Sequence, residues 1–231
     1  MVRTGAWISQ GWEAVKGDIG MWILVVLVAG LISQVPILNV AMGMGLCYIA
    51  LRKLQTGGRI EFSDLFKGFD GFYFGQGLLC AIVVGAFAFI AAVVAGAPFA
   101  LLAWLLGKAS EDLGSIIVLL GYVAVAVGAL VVETMYVFAP FLIIDRHMGF
   151  WEAMGTSKEK VMPNLAGFVG FLIVVAIVYA LGAVVCGVGI LITAPIAVMS
   201  VATAYRDNFA PAEEAAPAPA PAPEPTPPPG V

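Results

Sequence analysis

The chain has 231 residues, of which 61% are hydrophobic and 11% charged, where an ordinary soluble domain carries roughly 45–50% and 25%. That balance excludes a water-soluble globular protein, and the formal net charge of -4, from 15 acidic and 11 basic residues, offers a nucleic-acid backbone no basic face. The apolar excess comes in long runs rather than in alternation, so the expected fold is an all-α membrane protein.

Arg3, Trp7, Ile8, Gln10, Trp12, Glu13 and Lys16 precede the first long apolar run, and no small-residue cleavage site follows a short hydrophobic stretch. This pattern predicts no cleaved signal peptide. Residues 19–33 and 37–51 form two arms joined at Gln34 and Pro36, a tight hairpin whose arms are short against the roughly 20 residues of a full crossing. Asn39 is positioned to cap or bridge that turn. A third crossing lies within 74–106, with Gln76 near its start; it is expected to be kinked, and a tilt, an excursion beyond the hydrocarbon or a break at Pro98 would absorb its extra length. Residues 114–144 make a fourth, holding Glu133 among apolar neighbours and Pro140 near the far end. The fifth and sixth runs, 165–183 and 187–205, are separated by little more than Cys186 and Gly187, which again predicts a tight hairpin. The expected architecture is six transmembrane helices as three hairpins.

Each hairpin follows a prelude of mixed character. Phe62, Leu65, Phe66, Phe69 and Tyr73 recur at offsets of three and four, which puts them on one helical face while Asp64, Lys67 and Asp70 point elsewhere. Ile8, Trp12, Val15 and Ile19 repeat the pattern before the first hairpin, as do Trp151, Met154, Val161 and Met162 before the third. Such segments are expected to be short amphipathic helices in the interface plane, in contact with membrane lipids; the alternative is ordinary connecting loops whose aromatic residues mark the headgroup level.

The basic residues set the orientation. Arg3, Lys16, Arg52, Lys53, Arg59, Lys67, Arg146, Lys158, Lys160 and Arg206 fall on one side of a six-crossing arrangement, and Lys108 stands alone on the other. Basic flanks are retained in the cytoplasm, so both termini are expected there. After residue 209 the composition turns to Ala, Pro and Glu, with nine of the fourteen prolines between Pro211 and Pro229. Residues 1–209 thus form the membrane domain, and 210–231 is expected to be a disordered cytoplasmic tail.

Cys47, Cys80 and Cys186 lie in apolar runs and read as small buried hydrophobes, and His147 is the single histidine. No zinc, haem or redox spacing is available, so no metal or other cofactor is expected. No nucleophile elbow, Ser–His–acid set or complete dinucleotide glycine pattern occurs, so no enzymatic chemistry is expected. Glycine is frequent, at 27 residues, and the glycines inside the crossings favour close helix packing, within the chain, with a protein partner or in a homo-oligomer.

Glu133 is the outstanding polar residue; if 114–144 is one helix, it stands about 18 Å from Asp145 and therefore near the middle of the bilayer. A carboxyl there costs about 2.5–3.5 kcal/mol on insertion scales and must be protonated, paired or wetted. Tyr136 lies nearby in sequence, and Gln34, Asn39, Gln76 and Thr193 are the polar groups other helices could offer it.

The motifs Asp64-Leu65-Phe66-Lys67-Gly68-Phe69, Phe150-Trp151-Glu152-Ala153 with Ser157, and Pro195 with Tyr205-Arg206-Asp207-Asn208-Phe209 resemble a broad bacterial family of multi-pass inner-membrane proteins. That family is related to the membrane portion attached to some glycerophosphodiester phosphodiesterases. The resemblance covers most of 1–209 and implies a six-helix domain in the bacterial inner membrane. It does not imply the phosphodiesterase reaction, because the soluble catalytic domain with its metal-binding acids and histidines has no counterpart here. Asp64, Phe66, Phe69, Trp151, Glu152, Ser157, Tyr205, Arg206 and Asp207 are then expected as interfacial residues, with Asp64, Glu152 and Asp207 as caps or salt-bridge partners. The function expected first is a membrane scaffold, organising module or accessory subunit, and the second a small transporter or channel with Glu133 on its pathway.

Overall fold

The computed structural model describes residues 2–107, 110–184 and 188–209, and all of its regular structure is helical. The proline-rich tail, Lys108 and the expected turn at Cys186 and Gly187 lie outside the described residues. Helix α1 (Thr4–Lys16) meets α2 (Ile19–Ile32) at 98°. Helix α3 (Pro36–Thr56) begins with Pro36, whose missing N–H costs nothing in a first turn. It ends at Gly57, where a φ of 62° suits glycine and the N–H returns to the Lys53 carbonyl. The α2–α3 connection is the short hairpin read from Gln34 and Pro36.

The segment Phe62–Phe69 then folds back along α3 as a 3-10 helix. Two glycines permit the approach. A Cβ at Gly45 would stand 1.9 Å from the Leu65 carbonyl oxygen, and one at Gly68 would stand 1.8 Å from that of Ala41. With three residues per turn, Leu65 and Gly68 share the buried face, whereas Phe66 and Phe69 project outward together, 42% and 41% exposed. The apolar stripe read at α-helical spacing is therefore split. Asp64, expected to face away, is buried against Arg52.

Helix α4 (Gly71–Leu106) is capped by Asp70, which accepts from the Phe72 N–H, and runs uninterrupted through Pro98. Of the three ways to absorb the extra length, a break at Pro98 is not the one used, because a mid-helix proline removes one hydrogen bond, that of the Val94 carbonyl, and the turns on either side remain. At 1.5 Å per residue α4 is about 54 Å long, well beyond the hydrocarbon thickness of about 30 Å, so part of it lies outside the slab or strongly tilted. Helix α5 (Glu111–Tyr136) returns antiparallel to it. Gly121 and Gly128, seven residues apart, let α5 approach Phe99 and Ala91, and Gly96 admits Val125. This is small-residue packing of the kind that draws helices together in lipid. The outer sides of the pair stay apolar and bare, with Val94 70% and Leu119 63% exposed.

The fourth run is two helices. Pro140 cannot donate back to Tyr136, so α5 stops and α6 (Ala139–Arg146) restarts with Pro140 in its first turn. Ser157 of α7 (Phe150–Val161) repairs the gap. Its hydroxyl donates to the Met135 carbonyl at 2.9 Å and accepts from the Phe138 N–H at 3.3 Å. A 3-10 turn at Met162–Asn164 links α7 to α8 (Leu165–Val184), and the two run on as one apolar stretch. Helix α9 (Ile190–Phe209) packs against α8, with Thr193 donating to the Tyr179 carbonyl, and against α1. At the second contact a Cβ at Gly11 would lie 2.6 Å from Ser200 Oγ.

Among the described residues, five helical stretches are long and apolar enough to cross a bilayer, and the bent α1–α2 pair makes a sixth if taken as one span. The chain is an all-α, multi-pass membrane bundle. An aromatic core forms where α1, α8 and α9 meet the α5–α6 break. There Trp7 packs edge-on to Phe171, and Phe138 stands edge-on to both Phe168 and Phe209.

Candidate functional site

Charged side chains gather at one end of the bundle and largely neutralise one another. Arg3 and the Trp7 indole N–H both donate to Asp207, at 2.6 and 2.8 Å, tying α1 to the end of α9. Lys53 binds Asp18 at 2.5 Å and so closes the base of the α2–α3 hairpin. Arg52 bridges buried Asp64 and exposed Glu61, the latter at 2.7 Å. Its hydrogen bond and positive charge hold the Glu61 carboxyl below the usual glutamate range. The Tyr205 hydroxyl donates to Asp145 at 2.7 Å, and Gln55 donates to the same carboxylate at 2.9 Å.

Away from this cluster, a cavity of about 560 Å³ opens between α3, α4, α5, α6 and α8. Its wall includes Met44 and Cys47, Cys80, Glu133 and Tyr136, and Leu172. Helix α3 can leave this space because glycine stands at Gly43, where nothing lies within 4 Å of a Cβ position. Glu133 and Tyr136 are three residues apart on α5 and so share a face. Glu133 is exposed and, among the described residues, makes no hydrogen bond or ion pair. Its neighbour Thr134 is buried instead and donates to the Leu130 carbonyl within α5. The Tyr136 ring stacks on Phe87 of α4, with centroids 5.9 Å apart. A largely apolar cavity with one unpaired carboxyl and one phenol can take up a proton or a small cation together with apolar surface.

Of the polar residues expected around Glu133, only Tyr136 joins it at the cavity. Gln34 donates to the Gly30 carbonyl in the α2–α3 turn, and Asn39 is exposed one turn into α3. Gln76 accepts from the Phe150 N–H at 2.8 Å, serving as the N-cap that Gly149 cannot supply. The residues expected at the interface divide similarly. Ser157 and Tyr205 are buried and bonded, Asp64 and Asp207 are ion-paired, Arg206 lies 3.4 Å from Gln10, and Glu152 and Trp151 are exposed.

Several members of these networks were not singled out in the sequence. In the sequence Asp18 carries no assigned role, and Asp145 serves only to mark the end of the fourth run. Hairpin arithmetic offers a signal for the first, since a turn centred near 34–35 sets residue 18 opposite residues 50–52, beside Lys53. Cys47, Cys80 and Met44 carry no such signal, because an apolar side chain reads the same beside a cavity as in a packed core.

No group of three or more His, Cys, Asp or Glu side chains suited to a metal ion occurs among the described residues. No family model, curated protein or solved structure matches the chain.

Proposed function

We propose that the chain is a small transporter or channel in which Glu133 is the ionisable group of a proton-linked pathway through the cavity between α3, α4, α5 and α6. The observation that carries this reading is that Glu133 stands on a cavity wall without a partner. A carboxyl retained as glue between helices would be hydrogen-bonded across a contact, as Ser157 is, and nothing else in the bundle repays the cost of an acid in this position. Protonation from one side and release to the other would move charge past the apolar wall, with Tyr136 one turn away as a hydroxyl able to relay the proton. No enzymatic reaction is assigned.

In the same proposal the chain sits in a bacterial inner membrane with both termini and the charged end in the cytoplasm, ten basic residues there against Lys108 opposite. The resemblance to the family of inner-membrane proteins agrees with that placement. Three hairpins with interfacial preludes form the arrangement, and the 98° turn between α1 and α2 suits a helix that enters along the interface. A role only as scaffold or accessory subunit would use those preludes as grips on lipid or a partner, but it leaves the Glu133 carboxyl unexplained.

The test is proton flux in vesicles containing the purified chain, driven by a pH gradient and followed with an entrapped pH dye. Glu133→Gln and Glu133→Leu are expected to lower flux about tenfold or more, as for loss of an essential proton carrier, with yield and thermal unfolding retained. Wild-type flux in the folded Gln variant overturns the proposal.

A further inference from the structure

Tyr136 also lines a second cavity, about 220 Å³, whose other walls are Phe87 of α4 and Trp151, Met154, Gly155 and Lys158 of α7. The four α7 residues sit at offsets of three, four and seven, so one face of α7 forms the floor of a groove against α4 and α5. Its chemistry is graded. At one end Trp151 is 66% exposed, a ring type that settles at the headgroup level of a bilayer. Phe87 continues along the same side of α4 into Ile90 and Val94, which are 55% and 70% exposed. Lys158 makes no ion pair or hydrogen bond among the described residues, whereas the next base on α7, Lys160, rests 5.6 Å over the Phe209 ring. At Gly155 nothing lies within 4 Å of a Cβ position, so the groove floor is open.

We propose that this groove binds an anionic phospholipid, with its phosphate on Lys158, its headgroup beside Trp151 and an acyl chain along Phe87, Ile90 and Val94. An unpaired ammonium at the edge of an apolar channel matches a group that joins a negative phosphate to a hydrocarbon chain. Free phosphate would use the ammonium and leave the aromatic and aliphatic wall bare. A zwitterionic lipid would use the wall and bring no net charge to Lys158. The groove shares the Tyr136 ring with the Glu133 cavity as a common wall, but none of the lipid contacts uses its hydroxyl, so the proposal does not rest on proton movement at Glu133.

The full chain in mild detergent would be incubated with phosphatidylglycerol, phosphatidylcholine or inorganic phosphate, and retained lipid counted by native mass spectrometry. Phosphatidylglycerol is expected to be retained about fivefold over phosphatidylcholine, the weight of roughly one basic residue at an anionic surface. Lys158→Gln removes that preference, Gly155→Trp lowers retention of both lipids by filling the floor, and Lys160→Gln changes neither. Millimolar phosphate leaves the bound lipid in place. Equal retention of the two lipids by wild type overturns the proposal, as does an unchanged preference in Lys158→Gln. An equal loss in Lys160→Gln would mean that only overall charge matters, and displacement by phosphate alone would mean an anion site without a lipid; either result also overturns it.

Discussion

Ser157 is a single hydroxyl that replaces two backbone hydrogen bonds lost at the α5–α6 break. Substituting alanine leaves the Met135 carbonyl and the Phe138 N–H without their partner in a buried setting, a cost of about 1–3 kcal/mol. Ser157→Ala should therefore lower the unfolding midpoint in detergent measurably, while Ser33→Ala, at the half-buried α2–α3 turn, should have little effect. Glu61 gives a pH-dependent counterpart. Because Arg52 depresses its folded pKa, its contribution is present above the ordinary glutamate value of about 4.3 and fades as the pH falls through the lower folded value. The difference in unfolding midpoint between wild type and Glu61→Gln should be largest near neutrality and close in acid; a gap that widens in acid would contradict the pairing. The Glu133 carboxyl stood out in the sequence, because an acid in an apolar run is conspicuous wherever it points. The task of Ser157 did not, since a serine at the start of a charged run, Lys158-Glu159-Lys160, reads as surface until the broken backbone it serves is known.

The 3-10 segment Phe62–Phe69 and helix α3 are held together by the absence of two side chains. Within α3, Gly45 and Gly43 are two residues apart but meet opposite surroundings: the Leu65 backbone at 1.9 Å from one Cβ position, open space at the other. Gly45→Ala should destabilise the bundle by about 3 kcal/mol through overpacking against backbone that cannot yield. Gly43→Ala should be neutral or slightly stabilising, since alanine is the better helix former. Thermal unfolding of the two variants side by side checks the contact, and equal midpoints would refute it. The helical elements were legible from run length and flanking charge. Two things were not: the 3-10 geometry, which changes the period from 3.6 to 3 and turns Phe66 and Phe69 outward, and the split at Pro140, which depends on Ser157 from a distant helix. Pro98 and Pro140 look alike in the sequence, yet α4 continues through one and the α5–α6 helix stops at the other.

For the molecule as a whole, composition decided the solvent, and the hairpin spacing gave the neighbours α2–α3, α4–α5 and α8–α9. The cavity was not legible, because its wall draws on five helices and most of its residues are apolar. The placement of Glu133 gains its meaning from the proposed orientation in the bilayer, with the charged end on one side, the α4–α5 tip on the other, and the cavity between them. Single cysteines introduced at Lys53, Lys158 and Ser110, in a chain whose native cysteines are replaced by serine, can be challenged in sealed inner-membrane vesicles with a maleimide that does not cross the membrane. The account predicts that Lys53→Cys and Lys158→Cys react only from the cytoplasmic face and Ser110→Cys only from the opposite one. Labelling of Ser110→Cys and Lys53→Cys from the same face would contradict it.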